Sequence, residues 1–288
     1  MAGGAAAAAA GFGPWAQAWE PDLRLRLVRH RIVPAGWPEN LPLTIACIAD
    51  PHVGAPDTPL DRLERAVALT NALKPDMVAL LGDYGADHRM MPRRPRMAEV
   101  ARILAQLEAP LGVHAILGNH DWWEDADTQE RGKDLPEAAE AFAAAGLPML
   151  HNEARAVLHR GQPIRVAGLG SQWAYYRRGA HQGADDLERT LDGAKDGTPT
   201  ILLAHEPDIF PQVPGRVAVT LAGHTHGGQI RLRGWSPVVP SRFGNRYAWG
   251  HVQEDGRHMV VSGGIGNSLM PVRFGMPSEI TLVELGTG

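Results

Sequence analysis

Five short apolar runs in this chain all end in the same way. Ile45-Ala46-Cys47-Ile48-Ala49 leads into Asp50-Pro51-His52, and Val78-Ala79-Leu80-Leu81 into Gly82-Asp83. Ala115-Ile116-Leu117 leads into Gly118-Asn119-His120-Asp121, and Ile201-Leu202-Leu203-Ala204 into His205. The fifth, Val219-Thr220-Leu221-Ala222, leads into Gly223-His224-Thr225-His226. Runs this short, apolar throughout and bounded by turn formers, read as strands buried on both faces. In an open α/β sheet functional side chains collect outside the carboxyl ends of the strands. Five such ends therefore aim Asp, His and Asn side chains into one crevice. Asp50 and His52 are two apart, as are His224 and His226, so in extended backbone each pair projects to one side. Glycines at 82, 118 and 223 let the chain turn sharply where the strands stop.

The rest of the chain keeps an α/β rhythm. Strands are predicted at 25–33, 43–49, 77–81, 113–117, 155–159, 164–169, 200–204, 218–222, 258–262 and 279–284. Helices are predicted from Thr58-Pro59 to Leu73, with Pro at the first helical position, and over 97–108, 136–145 and 185–194. Gly146 is the expected C-cap of the third. So many strands exceed one short parallel sheet, and the expectation is α/β (α+β): a two-sheet β-sandwich flanked by helices. No repeat or low-complexity linker divides the chain, so 23–288 reads as a single domain behind a tail at 1–22. Segment 227–250, rich in Gly, Pro, Arg and Trp, reads as ordered loop.

Composition narrows the chemistry. Thirteen histidines face a single cysteine, which excludes a disulfide framework and a cysteine-based zinc site. Any metal must be held by imidazole and carboxylate. A net charge of -4 lacks the basic footprint of nucleic-acid binding, so no nucleic-acid partner is expected. Arginine far outnumbers lysine; this suits phosphate recognition, and a base-composition bias in the genome gives the same ratio. Residues 1–19 carry no charge, and Ala16-Gln17-Ala18 is similar to the end of a signal sequence, but a positively charged leader segment is lacking. A frayed tail and the remnant of an export or anchor segment both fit. No apolar stretch reaches the ~18 residues that span a bilayer. The location expected is cytoplasmic or peripheral to the inner membrane, or exported if 1–19 belong to a signal.

As an ordered set, Asp50-x-His52, Gly82-Asp83, Gly118-Asn119-His120-Asp121, His205 and Gly223-His224-Thr225-His226 resemble the calcineurin-like metallophosphoesterases, over residues 43–285. The run GHTHGGQI at 223–230, Leu203-Ala204-His205-Glu206-Pro207-Asp208, Gly264-Ile265-Gly266 and Pro271-Val272-Arg273-Phe274-Gly275 narrow the likeness. They are similar to a bacterial branch that includes cell-envelope phosphodiesterases and UDP-2,3-diacylglucosamine pyrophosphohydrolases of lipid A synthesis. The resemblance implies a metallophosphoesterase-like four-layer architecture and two divalent metal ions. Asp50, His52 and His226 would hold the first; Asn119, His205 and His224 would hold the second; Asp83 would bridge both. Oxygen and imidazole ligands suit Mn²⁺, Fe or Zn²⁺. Two cations about 3.5–4 Å apart, with a hydroxide between them, would drive in-line attack on phosphorus. His120 would protonate the leaving oxygen, and Asp121 would orient that imidazole or serve as a turn cap.

Two segments are candidates to dress the crevice. Arg93 and Arg94 lie in an Arg- and Met-rich stretch fit for phosphates, acyl chains or a membrane surface, or simply for solvent. Trp173 and Arg177 would stack on a base or sugar. One of Trp122 and Trp123 is expected at the mouth, or else packed beneath the loop. The partner is thus a phosphoester, lipid-linked in one reading with peripheral membrane contact. Three functions fit: a hydrolase of lipid- or nucleotide-linked phosphodiesters or pyrophosphates such as UDP-2,3-diacylglucosamine; a broad-specificity soluble phosphodiesterase or phosphatase; and a non-catalytic interaction protein on the same fold.

Overall fold

The structure is a computed structural model that describes residues 25–54, 59–85, 95–131, 135–268 and 272–286. Its strands in chain order are β1 (Arg26–Ile32), β2 (Leu43–Ile48), β3 (Met77–Leu80), β4 (Val113–Ala115), β5 (Glu153–His159), β6 (Gln162–Gly168), β7 (Tyr175–Arg177), β8 (Ala180–Gln182), β9 (Thr200–Leu203), β10 (Val217–Ala222), β11 (Gly250–Glu254), β12 (Arg257–Val261) and β13 (Glu279–Leu285). Two sheets form, ordered β1-β13-β2-β3-β4 and β11-β12-β10-β9-β6-β5, while β7 and β8 make a separate hairpin. Each predicted strand has a counterpart. Three strands lacked a signal: β7 and β8 are short and mostly exposed, and β11 is a polar edge strand.

Strand periodicity places the core. Leu43, Ile45 and Cys47 of β2 face the second sheet and meet Ile201, Leu203, Val219 and Leu221. The alternate residues Ala46 and Ile48 face outward, where Leu63 and Val67 of the helix Leu60–Ala72 and Val100 and Leu104 of Met97–Leu104 cover them. Helical segments also cover the second sheet, through Leu191, Ala194 and Ile209. Both faces of the central strands are therefore buried, which is why their sequences are apolar without alternation. Cys47 is one of these core residues, and burial pushes its thiol up. The first helix begins one residue later than predicted, with Pro59 as its N-cap, and Thr58 lies outside the described residues.

Register brings the strand ends level. In parallel pairing Ile48 sits beside Leu80 and Leu80 beside Ala115, and in the other sheet Leu203 sits beside Leu221. Asp50, Asp83 and Asn119 thus leave one sheet where His205 and His224 leave the other. Among the described residues no helix is long and apolar enough to cross a membrane.

Candidate metal centre and its cavity

The backbone at these strand ends is not extended. Asp50 (φ 49°), His52 (39°), Asp83 (59°), His224 (71°) and His226 (52°) all take the left-handed conformation. The side chains therefore converge through kinks, not through the extended two-residue spacing predicted from sequence. Each kink costs roughly 1 kcal/mol or more for a residue with a Cβ, and a backbone ladder holds it. The N–H of Asp50 donates to Gly82 O at 3.1 Å, that of His52 to Asp83 O at 3.0 Å, and that of Gly223 to His205 O at 3.0 Å. A Cβ on Gly82 (φ 95°) would strike the backbone of Gly118, and one on Gly118 would strike Asp83. Only glycine lets these two loops close on each other.

The seven side chains meet in a buried cluster. His52 Nε2 lies 3.1 Å from His226 Nε2 and 3.5 Å from Asp83 Oδ2. His205 Nε2 lies 3.1 Å from Asp83 Oδ2 and 3.2 Å from Asn119 Oδ1, with its Nδ1 2.6 Å from the carbonyl of Leu81. Asp50 Oδ1 is 3.8 Å from His226 Nε2 and 3.9 Å from His205 Nε2. His224 is hydrogen-bonded to the Pro240 carbonyl, and its Nε2 is buried with no protein partner. Two groups, Asp50–His52–His226 and Asp83–His205–His224, bring their donor atoms within 4.8 Å of one another. Two buried carboxylates and facing imidazole nitrogens are a donor set completed by cations. The residues fit a pair of divalent ions.

Burial and mutual charge set the protonation pattern. Burial pushes Asp50 up to about 7, Asp83 adding to the shift and His205 opposing it. Burial pushes His52 down to about 3 and holds His224 and His226 well below the usual imidazole range. For His205 burial works against the charge, but the carboxylates of Asp83 and Asp50 outweigh it and raise the imidazole well above that range. For Asp83 burial is outweighed by the same His205 and by His120, which hold it well below the carboxylate range.

His120 sits at the edge of the cluster, on the short helix Asn119–Trp123, with its ring 4.8 Å from that of His52. The orienting bond predicted from Asp121 comes instead from Glu124, whose Oε1 is 3.3 Å from His120 Nδ1. Asp121 accepts from three backbone N–H groups, those of Asp83 (2.9 Å), Tyr84 (2.9 Å) and Gly118 (2.8 Å), and so clasps the two ligand loops. Glu124 was legible as the i+4 neighbour of His120 on one helix face. Of the two tryptophans offered for the mouth or for packing beneath the loop, Trp122, the candidate substrate contact, is fully buried against Leu117, Ala138 and Ala174. Trp123 lines the cavity in its place.

That cavity, of about 460 Å³, opens directly on the cluster. Asp83, Asn119, His120, His224 and His226 form its floor, and Trp123, Trp173, Ile230, Pro237, Val238 and Pro240 form apolar walls. His181, which carries no motif signal, is sandwiched between Trp173 (4.5 Å, 12°) and Trp123 (5.3 Å, 19°). Glu206 holds this wall in place: it accepts from Ser171 Oγ at 2.5 Å and from the N–H groups of Gln172 (2.9 Å) and Trp173 (3.3 Å). Asp208 anchors the chain just after Pro240 of the cavity lining, accepting from Ser241 Oγ at 2.5 Å and the Arg242 N–H at 2.9 Å. Arg177 lies over the Tyr175 ring at 4.7 Å, away from the residues lining the cavity, and Arg93 and Arg94 lie outside the described residues.

A sequence model of the family described as Calcineurin-like phosphoesterase matches residues 43–228. The chain belongs to that family. It is 29% identical over 288 residues to the uncharacterized metallophosphoesterase YkuE of Bacillus subtilis, covering 99% of this chain and 93% of YkuE. It is 29% identical to the phosphodiesterase YaeI of Escherichia coli, with 90% of this chain and 87% of YaeI covered. To the UDP-2,3-diacylglucosamine pyrophosphatase LpxG of Chlamydia muridarum it is 27% identical, with 76% and 74% covered. Membership makes the chain a metal-dependent phosphoester hydrolase.

Proposed function

We propose that this chain hydrolyses phosphodiesters or pyrophosphates that carry an apolar group, a lipid-linked substrate such as UDP-2,3-diacylglucosamine being the fullest case. The observation that carries this reading is the apolar cavity set directly on the donor cluster. A phosphate seated on the cluster directs its substituent between Trp123 and Trp173 on one side and Ile230 and Val238 on the other. The likeness to LpxG and to the phosphodiesterase YaeI supports the same class.

In this proposal Asp50, His52 and His226 hold one divalent ion, Asn119, His205 and His224 the other, and Asp83 both. The pair would neutralise charge on the phosphoryl oxygens and supply the attacking oxygen at neutral pH. The chain's own residues do the rest. His120 presents its ring to the cavity; burial opposes its charge, but Asp83 and Glu124 outweigh burial and raise its pKa. Raised in this way and facing the cavity, it is placed to give its proton to the departing oxygen. Asp121 and Gly118 fix the loop that aims it. The apolar walls exclude bulk water from the other side of the phosphate.

A substrate panel with Mn²⁺ tests the reading. Release of uridine monophosphate from UDP-2,3-diacylglucosamine supports the lipid-linked assignment. Turnover of bis-p-nitrophenyl phosphate alone supports a broad phosphodiesterase, the second reading. A chain that binds metal and cleaves neither overturns both.

A further inference from the structure

Just beyond the cavity wall the chain makes a tight hairpin that nothing in the hydrolytic reading uses. Leu232 N–H donates to Trp235 O at 2.8 Å and Trp235 N–H to Leu232 O at 3.0 Å. The two central residues, Arg233 (φ 50°) and Gly234 (φ 85°), both take positive φ. This is the geometry of a two-residue type I′ turn. It sets Leu232 and Trp235 directly across from each other, side chains on one face, and puts Arg233 at the tip. Both apolar side chains are turned to solvent: Leu232 is 56% exposed, Trp235 59%, and the neighbouring Val238 69%.

The hairpin is anchored, not loose. Ser236 is buried; its N–H donates to Asn245 Oδ1 at 2.8 Å and its hydroxyl to Gly228 O at 2.8 Å. Arg231 N–H donates to Phe274 O at 2.7 Å, and its guanidinium lies over Trp249 at 5.8 Å. Gly228 is two residues past His226, so the hairpin and the donor cluster share one segment of backbone. Val238 belongs both to the exposed patch and to the cavity wall.

Charge identifies the occupant. Segment 227–250 contains four arginines and no acidic residue. Asp208 and Asp185 offset Arg242, Glu254 and Asp255 offset Arg246, and the positive charge beside the hairpin is that of Arg231 and Arg233. A second copy meeting this face about a two-fold axis would set Arg233 against Arg233. A layer of anionic headgroups over acyl chains instead satisfies both the arginine tip and the paired Leu and Trp. We infer that the hairpin 231–235 docks this protein on an anionic lipid bilayer, with the cavity mouth at the lipid surface. The inference rests on the proposed hydrolysis of an amphiphilic phosphoester, because it supplies the route by which such a substrate reaches the cavity.

The test is cosedimentation of the Mn²⁺-loaded full chain with vesicles of phosphatidylcholine alone or mixed with phosphatidylglycerol. Binding is expected to the mixed vesicles, weakening as salt rises over the Debye range. The double variant L232D/W235D is expected to bind about tenfold or more weakly, from the lost apolar burial. Its hydrolysis of soluble bis-p-nitrophenyl phosphate should equal that of the native chain, which shows that it is folded. Arg233→Glu should weaken binding to the mixed vesicles only. Native chain that stays in solution with mixed vesicles overturns the inference, as does a double variant that sediments like native. So does a lipid-free dimer that the double variant abolishes, since the face would then belong to a second copy. Native chain that sediments yet cleaves no phosphodiester overturns the proposed hydrolysis while leaving the docking surface supported.

Discussion

The backbone N–H of His120 donates to Asp83 Oδ1 at 2.8 Å while its ring faces the cavity beside Glu124. Backbone and side chain thus separate two roles, and substitutions can tell them apart. His120→Ala keeps the bond to Asp83, so metal content should hold while kcat falls about 10²–10⁴-fold, the range for a lost general acid. Elemental analysis showing metal lost with the ring would make His120 a ligand instead, a geometry open to it because His52, Asp83 and His120 also cluster. Glu124→Gln keeps a hydrogen bond but removes the charge that helps raise the His120 pKa. The alkaline limb of its kcat profile should move to lower pH, with metal content unchanged. Asp83→Ala, by contrast, removes the carboxylate that in the proposal holds both ions and that lies within reach of both His52 and His205, and the purified chain should carry neither metal. That these Asp, His and Asn side chains gather at one place was legible in sequence because each follows an apolar strand. Their left-handed backbone was not, since nothing in Asp-x-His or His-x-His distinguishes a kink from an extended pair. The part played by Asp121 was legible only as a turn cap, its bond to the Gly118 N–H; the N–H groups of Asp83 and Tyr84 are brought to it only by folding.

At the level of elements, the strands that form the core announce themselves and those that shape the cavity do not. β2, β3, β9 and β10 are buried on both faces, and their apolar runs survive in the sequence as plain signals. The hairpin of β7 and β8 has no buried face to mark it, yet it carries His181 between Trp123 and Trp173. The Leu-Ala-His-Glu-Pro-Asp run is half legible. His205 follows from its strand end, while Glu206 and Asp208 matter through loops 35 and 33 residues away. The hydrogen bonds of Glu206 go to the wall, while only its charge acts on the neighbouring His205, so its removal should act chiefly on the wall. Glu206→Ala leaves Ser171 Oγ and the Gln172 N–H without their acceptor, and Trp173, whose N–H then keeps only Ser171 Oγ, loses part of its support. KM for an apolar diester is expected to rise about tenfold, the worth of roughly 1.4 kcal/mol, with kcat for a small diester little changed. Trp173→Ala should match it. Equal losses in kcat for both substrates would instead mean that Glu206 acts on the metal cluster.

For the molecule as a whole, the donor cluster is a joint between two sheets, because Asp50, His52 and Asp83 leave one and His205, His224 and His226 the other. Metal bound there should stabilise the entire sandwich. At a hundredfold excess over its Kd one ion adds about 2.7 kcal/mol, and domains of nearly this size gain roughly 2–4 °C of Tm per kcal/mol. The gain should depend on pH in a sense fixed by the cluster. In chelator-treated protein Asp50 has its pKa raised by burial from 3.8 to about 7, so the stability it contributes is full below 3.8 and gone above 7. His205 is also raised, from 6.5 to well above, so its contribution is full below 6.5 and fades as pH rises through the higher value. His52 runs the other way: lowered to about 3, it contributes above 6.5 and loses that contribution as pH falls. Asp50 and His52 nearly offset each other, but His224 and His226 are lowered too and add to the acid-side loss, so metal-free protein should melt highest near pH 6.5 and weaken on the alkaline side, where His205 holds a proton that the unfolded chain has released. A divalent ion replaces that proton and removes the alkaline loss. Thermal melts with and without Mn²⁺ should show a metal-induced rise in Tm that is larger one pH unit above 6.5 than one unit below. An increment that is equal on both sides, or larger in acid, would mean that His205 does not give up a proton to the metal, and the assignment of His205 as a ligand would fall with it.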